Sequence, residues 1–560
     1  MQSPKTILNT SKIFTRKISI YLFFIVCLYF LSCGNNDDYN FDIVIYGASP
    51  AGITAAIQAA KLKKSVVLIE PTNHVGGIIV EGLGATDIDN HSEFQNSVAI
   101  GGLALEFYKR VANHYGRLHE LEQAIKYKHK RPELWCFEPH VAEKILNDWL
   151  GEYPIKIILN APIKESKRAV EKKETTILSI RTDKGKFKGK YFIDASVEGD
   201  LLAASEISFM VGRESNTVYD ETKNGIREHT THGQFSVKVD PYLIPGNAGS
   251  GTIQGILNEP LGIPGSGDHR LQAYCFRVCL TNDPDNRFPL PKPENYDRSN
   301  YELALRYLKA GGKLLTPYPG LPNRKSDVNG GGAVSHNLNG MNYRYPEGSR
   351  KERKMILDFH KDFTQGFFYF LANDPEVAIL DPNLQKTWQK WGLPKDEFKD
   401  NNGWPRMFYV RDARRMLSDY IITEHHAAKD KNVEVEDPVA IAFWPPDVHN
   451  VRTIVRDKAA YNEGFVFGGD WWKPFGISYR ALIPKMNECV NLLTPTCPSS
   501  SHIAYGTIRI EWTFMTLGQS AALAASLAID NSIPIQKVQY QDLKKLLIEN
   551  KQVFDSVSTP

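Results

Sequence analysis

The sequence predicts an α/β fold: a parallel sheet, joined to a small antiparallel meander, that carries a large inserted α+β domain. Four stretches predict it. "FDIVIY" (41–46) is a compact apolar run that stops at Gly47, as a buried parallel strand does. "PAGITAAIQAAKLK" (50–63) is alanine-rich and reads as a helix, and "SVVLIE" (65–70) reads as a second buried strand. "GKYFIDAS" (189–196) repeats the strand pattern far along the chain.

The first three pieces form a strand–turn–helix–strand unit of Rossmann-like type. Gly47 permits the tight turn, and Gly52 lets the helix lie close to the sheet. Pro50 and Ala51 open the helix, whose first N–H groups suit a pyrophosphate. Glu70 follows Gly47 by 23 residues, near the spacing of an acid that grips an adenosine ribose. Ser49 departs from the pattern, which places a glycine there. Its Cβ is small, and its hydroxyl can donate a hydrogen bond. The alternative is an ordinary glycine turn in an α/β domain.

"NHVGGIIVEGLGATDID" follows, with Gly76, Gly77, Gly82 and Gly84, a density that suits backbone packed against something flat. Four further segments stand out: "GKYFIDASVEGDLLAAS" (189–205), "DHRLQAYCFRVCLTND" (268–283), "LPNRKSDVNGGG" (321–332) and "NLLTPTCPSSSHIAYGTIRIEWTFMTLGQSAALAA" (491–525). On these motifs the chain resembles the bacterial FAD-dependent oxidoreductases, the glutathione-reductase and fumarate-reductase-like flavoproteins, over roughly Phe41 to Ile533. The resemblance implies FAD as cofactor. It assigns cofactor contacts to Gly47, Ser49, Pro50, Ala51, Gly52, Glu70, Gly76, Gly77, Gly82, Asp194, Ala195 and Gly518. It also implies hydride exchange with a small-molecule substrate and an electron donor or acceptor of unknown identity. No redox cysteine pair follows the second strand, and no second glycine turn marks a nicotinamide domain.

The expected division is a leader (1–33), an FAD-binding domain in two parts (39–209 and 481–532), an inserted substrate domain (210–480) and a C-terminal helix and tail (533–560). "IKIILNAPIKES", "TTILSIRT" and "KGKYFIDAS" read as the meander, with "TDKGK" as a turn. A helix is expected over about 512–528, its small residues facing close neighbours. The leader has a basic start, an apolar run over 18–31 and Ser32-Cys33 at its end. It resembles a bacterial lipoprotein signal, which predicts export and a lipid anchor on Cys33. Beyond it, no apolar run reads as a bilayer span. The net charge of +3 and the lack of a long basic block argue against nucleic acid. Seven cysteines occur, two of them in the leader; the other five read as buried thiols, with no metal-binding spacing.

His502 is the expected acid/base, with a structural, hydrogen-bonded histidine as the alternative. Arg509 joins it as a catalytic candidate, and an internal ion pair with Glu511 is the other reading. Asn323 and Lys325 lie on a polar, glycine-rich loop suited to a hydroxyl-rich or anionic ligand, or simply to solvent. "YVRDARRMLSDYII" (409–422) reads as a helix with Arg411 and Arg415 one turn apart. They would dock a carboxylate, or pair with Asp412, Asp419 or Glu424. Gln272, Tyr274 and Arg277 are read as one pocket-lining strand face, and His74 as a residue near the cofactor's edge. The expected substrate is a saccharide or hydroxy acid. Reduction of an unsaturated acid and a non-catalytic electron relay are the alternatives.

Overall fold

The computed structural model describes residues 38–230 and 232–555. The leader and Cys33 lie outside them. The central sheet starts with β1 (Asp38–Tyr46), whose residues 43–46 are all buried. The chain crosses over through α1 (Pro50–Lys61) to β2 (Val66–Ile69), which pairs parallel to β1. Helices α2 (Gly102–His114) and α3 (Pro139–Gly151) then lead to β3 (Ile155–Ile158), parallel to β2 at the sheet's edge. β3 is therefore not a strand of the meander, as its sequence suggested. The meander is β4 (Val170–Lys173), β5 (Thr176–Thr182) and β6 (Gly185–Asp194). Its last turn falls where the Thr-Asp-Lys-Gly-Lys stretch put it.

β6 unites the two parts of the sheet. It lies parallel to β1 along its length, and its N-terminal half pairs antiparallel with β5. Its C-terminal residues Phe192 and Ile193 instead take a parallel partner from the far end of the chain.

The long intervening segment is built of short antiparallel pairs and one long helix. β7 (Val278–Thr281) pairs with β8 (Lys325–Val328). The 24-residue α4 (Arg350–Asn373) starts at a capping box, where Ser349 and Glu352 satisfy each other's backbone N–H groups. Its aromatic face, with Phe367, Phe368 and Phe370, meets Tyr301, Trp388 and Trp404 in a second core. β9 (Pro438–Ala442) lies in the main core instead. β10 (Arg452–Arg456) and β11 (Ala459–Glu463) form a hairpin, and β12 (Phe475–Ser478) pairs with β9.

The last part returns as β13 (Leu492–Leu493), the partner of Phe192 and Ile193, then α5 (His502–Ile508), α6 (Glu511–Asn531) and α7 (Tyr540–Glu549). α6 packs on α1. A Cβ at Gly518 would lie 2.1 Å from the Ala51 carbonyl oxygen, so only glycine allows this approach. Thr54 Oγ1 donates to Met515 O (2.7 Å), and Gln519 Nε2 to Gln58 Oε1 (2.9 Å), across the same contact. α6 is long and apolar enough to cross a membrane, contrary to the reading of the sequence, but 89% of its apolar window is buried in protein. It is the core helix that locks the end of the chain onto the glycine turn.

Candidate functional site

The glycine turn is fixed by contacts that leave no room for side chains. Gly47 has φ +96°, and a Cβ there would meet Ser196 N at 2.5 Å. A Cβ on Gly52 would lie 1.9 Å from the Gly47 carbonyl oxygen. Ser49, the odd residue, is the N-cap of α1. Its hydroxyl donates to Ala195 O (2.7 Å) and lies 3.4 Å from Gly52 N. Serine here ties the turn to the end of β6. The open end of α1, where Pro50 has no N–H to give and Gly52 N–H caps onto Ser49, presents the first-turn donor of Ala51. Gly77 comes beside it: a Cβ there would stand 3.4 Å from Ser49 Cα and Pro50 Cδ.

Glu70 is buried behind this turn. One carboxylate oxygen accepts from Ala48 N (2.7 Å), the other from Thr72 N (2.9 Å) and Thr72 Oγ1 (2.8 Å). Burial raises its pKa against those donors. Three of roughly four acceptor positions are used, which leaves one for a hydroxyl.

The second region lies around Tyr409, which bridges to Cys275. Three arginines surround its ring: Arg411 at 5.2 Å, Arg509 at 5.6 Å and Arg277 at 5.7 Å. Arg509 donates to Tyr409 Oη (2.6 Å) and Asp447 O (2.7 Å), and its Nε has no partner. Among the described residues Arg411 forms no ion pair within 4 Å of a carboxylate. It donates to Ala273 O, Asn337 Oδ1 (3.2 Å), Asn329 Oδ1 (3.1 Å) and Cys275 Sγ (3.2 Å). Burial opposes ionisation of Cys275, but Arg411 and His336 hold its thiol down to about 6.

Three acids flank these arginines. Burial alone would raise Asp447, yet His449, Arg509 and Arg411 hold it far below the usual carboxylate range. Burial pushes Asp87 up to about 6, despite Arg277, and Glu511 up to about 8, despite Arg509 and Arg277. Asp87 keeps exposed surface while sitting deep among protein atoms, as a cavity-lining group does. Burial and Arg411 lower His449 to about 4, so it is neutral at pH 7. Above that pH the arginines are what hold Asp447 charged.

His502 is 1% exposed at the start of α5. Its Nδ1 stands 3.0 Å from Asp412 Oδ2, within ion-pair reach but outside hydrogen-bond geometry. Neither ring nitrogen has a hydrogen-bond partner, nor does either Asp412 oxygen. The same holds for Thr507 Oγ1, Trp512 Nε1 and Thr513 Oγ1. Buried polar atoms are nearly always paired. Atoms without a hydrogen-bond partner recur from 502 to 513.

The matching family model spans residues 42–547 and describes FAD-dependent oxidoreductases. This chain belongs to the FAD-dependent oxidoreductase family. It is an FAD-dependent enzyme, and FAD is its cofactor. No curated protein matches it. Among solved structures it is similar to an L-proline dehydrogenase from P. horikoshii, with 16% identity over 32% of this chain and 59% of that one, TM-score 0.24. It is also similar to an L-amino acid deaminase from Proteus vulgaris (16%, 31% and 53%, TM-score 0.22) and a T. acidophilum thioredoxin reductase (20%, 28% and 35%, TM-score 0.17). The chain thus spans about a third to three-fifths of those proteins' lengths.

The flavoenzyme's residues fit the cofactor at two ends. The Gly47–Gly52 cradle, which any Cβ would fill, and the first turn of α1 suit the pyrophosphate, with Glu70 beside them for a ribose hydroxyl. The unpartnered atoms of 502–513 suit the polar edge of the ring system.

Several expected contacts fall elsewhere. Asp194 does not reach outward: it accepts from Ser196 N (3.0 Å), Ser196 Oγ (2.6 Å) and Leu202 N (2.6 Å), and burial raises it to about 7. Its job is to close the loop after β6. Gly82 is required because a Cβ would overlap Arg277 O at 1.7 Å, and Gly76 because one would meet Val80 at 2.3 Å. Residues 409–416 are extended, not helical. Arg415 and Met416 pair with Met210 and Phe209, and Arg415 is bound to Glu214 (2.8 Å) in the core. Lys325 Nζ sits among Glu138 (2.7 Å), Asp396 (2.8 Å) and Glu397 (2.6 Å), fully buried. Its ammonium occupies the centre of an acid cluster, and Asn323 Nδ2 donates to Glu138 in the same cluster (2.7 Å). Neither contact faces the Tyr409 region. Tyr274 is buried, donating to Asp412 O, and Gln272 accepts from His449 N (3.1 Å). Only Arg277 of that trio faces Tyr409, since the strand starts at Val278; its guanidinium is held by Asp327 (2.7 Å). Arg509 pairs with Asp447, not Glu511. His74 lies in an ion-pair network with Glu143 and Asp400.

The sequence reading missed Asp87, Tyr409, Asp447 and His449, and named Glu511 only as an ion-pair partner for Arg509. "TDID" and "PPDVHN" held polar residues next to apolar runs, the only local signal available.

Proposed function

We propose that the enzyme exchanges a hydride with a small polar substrate, a saccharide or a hydroxy acid, and that His502 receives the substrate's hydroxyl proton. FAD, when bound, supplies the hydride chemistry. The observation that carries the reading is His502 itself, a buried imidazole whose Nδ1 stands 3.0 Å from the Asp412 carboxylate and whose Nε2 has no hydrogen-bond partner. Asp412 favours the tautomer with its proton on Nδ1, which leaves Nε2 as the acceptor. After proton uptake, the Asp412 charge stabilises the imidazolium. The guanidiniums of Arg411 and Arg509 offer unused N–H groups to substrate oxygens near Tyr409.

The three arginines around one ring favour a second reading, reduction of an unsaturated acid held by its carboxylate. The leader supports a location outside the cytosol with a lipid on Cys33. Anaerobic mixing separates the two reactions. Sugars or hydroxy acids bleach the oxidised flavin under the first reading. Unsaturated dicarboxylates reoxidise the reduced flavin under the second. A flavin that responds to neither group overturns both. Persistent acyl labelling of a Cys33→Ser variant would overturn the anchor.

A further inference from the structure

Asp87 and Glu511 hold carboxyl oxygens that the protein does not use. The Asp87 side chain accepts only from Asn90 Nδ2 (3.3 Å), while its carbonyl is tied to Asn96 Nδ2 (2.8 Å). Glu511, the first residue of α6, is 7% exposed, and its side chain accepts no hydrogen bond among the described residues. The guanidiniums of Arg277 and Arg509 act on both acids through space without bonding either. Each already has a carboxylate: Asp327 binds Arg277 (2.7 Å), and Asp447 binds Arg509 (3.2 Å).

The free oxygens can be reached, since both side chains retain accessible surface at their carboxyl groups. Both charges bear on the buried Tyr108 hydroxyl, and Glu511 also bears on Tyr409, so the two carboxyls open on one region beside the Tyr409 ring. A nine-tenths buried acid without a partner is rare unless something else pairs with it.

The two acids differ at neutral pH. Burial keeps the proton on Glu511 up to about 8, whereas Asp87 loses its own at about 6. Glu511 is therefore a donor and Asp87 an acceptor. A group that meets both must donate and accept at once, as an alcohol oxygen does. A carboxylate brings no donor and is repelled by Asp87.

We propose that Asp87 and Glu511 clamp one substrate hydroxyl beside Tyr409, Asp87 accepting its hydrogen bond and Glu511 donating to its oxygen. The clamp rests on the hydroxyl-bearing substrate proposed above. A hydroxyl has one proton, and His502 takes that of the reacting group, so the clamp grips a second hydroxyl. The substrate class narrows to compounds with at least two: a saccharide or a polyhydroxy acid.

The test is calorimetric titration of the FAD-loaded enzyme with its flavin reduced and oxygen excluded, so that no hydroxyl is oxidised. Glucose and glycerate are the probes, and lactate, which is glycerate less one hydroxyl, is the control. At pH 7 at least one probe is expected to bind, and lactate about tenfold or more weaker than glycerate. Asp87→Asn should weaken the better probe about ten- to a hundredfold, since an ionised acceptor is lost. Glu511→Gln keeps an N–H donor and should stay within about threefold at pH 7. Its pH profile should differ from the parent's. Parent affinity falls above about 8, as Glu511 gives up its proton, and the variant's does not. Both weaken below about 6, where Asp87 is protonated. Asp447, which also faces Asp87, stays charged over this range, and His449 stays neutral, so neither adds a slope.

No binding by either probe, equal binding of lactate and glycerate, unchanged affinity in Asp87→Asn, or a parent profile that Glu511→Gln leaves as it was overturns the clamp. Bleaching of the oxidised flavin by a hydroxyl compound whose affinity ignores Asp87 overturns the clamp and keeps the reaction. Binding with the expected dependence but without bleaching does the reverse.

Discussion

The glycine turn and the 502–513 segment hold their polar atoms in opposite ways. At the turn, Ser49, Glu70, Thr72 and Asp194 are bound into the protein's own backbone. In the 502–513 segment, His502, Thr507, Trp512 and Thr513 end in atoms with no hydrogen-bond partner. The turn is a finished shape that exposes only the first-turn donor of α1. Changes at the turn should therefore be read in cofactor affinity, and changes in the segment in rate.

The largest effect expected at the turn comes from Gly52→Ala. Its methyl would stand 1.9 Å from the Gly47 carbonyl oxygen, so the turn must open. Overpacking of this kind costs about 1–3 kcal/mol, and FAD affinity should fall about a hundredfold. Flavin titration of the apoprotein measures it; unchanged affinity would show that the cradle is not the cofactor's seat.

Glu70→Ala comes next. It strands the N–H groups of Ala48 and Thr72, and a buried unsatisfied donor costs about 1–3 kcal/mol. FAD affinity should fall about ten- to a hundredfold, with the rate of the loaded enzyme nearly unchanged. A variant that keeps its affinity but loses rate would erase the contrast between the regions.

The smallest effect is a pH slope from Glu511. Burial raises its carboxyl from 4.5 to about 8. The folded state thus keeps a proton that the unfolded state releases between those values. The stability this group contributes is fully present below about 4.5 and is lost as pH rises toward 8. Glu511→Gln should flatten that part of the thermal-midpoint profile. An identical slope in the variant would mean that Glu511 is charged throughout.

How legible each part was follows from how local its causes are. The β1–α1–β2 unit was readable because strand, turn and helix are set by neighbours in sequence: apolar residues 43–46, Gly47 and the alanine run. The central helix was readable because its small residues had no other use. β3 was misassigned because an apolar run does not reveal its partner's direction. Residues 409–422 mimicked a helix with arginines at helical spacing. Their extended path comes instead from Cys275, which bridges Tyr409, and from Met210, which pairs with Arg415. Lys325 looked like a ligand-binding residue on a polar loop. Its acids, at 138, 396 and 397, lie far away in sequence and come together only in the fold. The centre around Tyr409 joins residues from 87 to 511, and no local pattern could assemble it.

His502 offers the most direct test. Single-turnover reduction of the flavin, without oxygen, is compared in the parent enzyme and His502→Ala at equal flavin content. A positioned acid/base is worth about 10²- to 10⁴-fold in rate. The account predicts a slowing of that size with FAD affinity and thermal midpoint retained. Equal rates in the two proteins, with an unchanged pH profile, would contradict it and make His502 a structural residue.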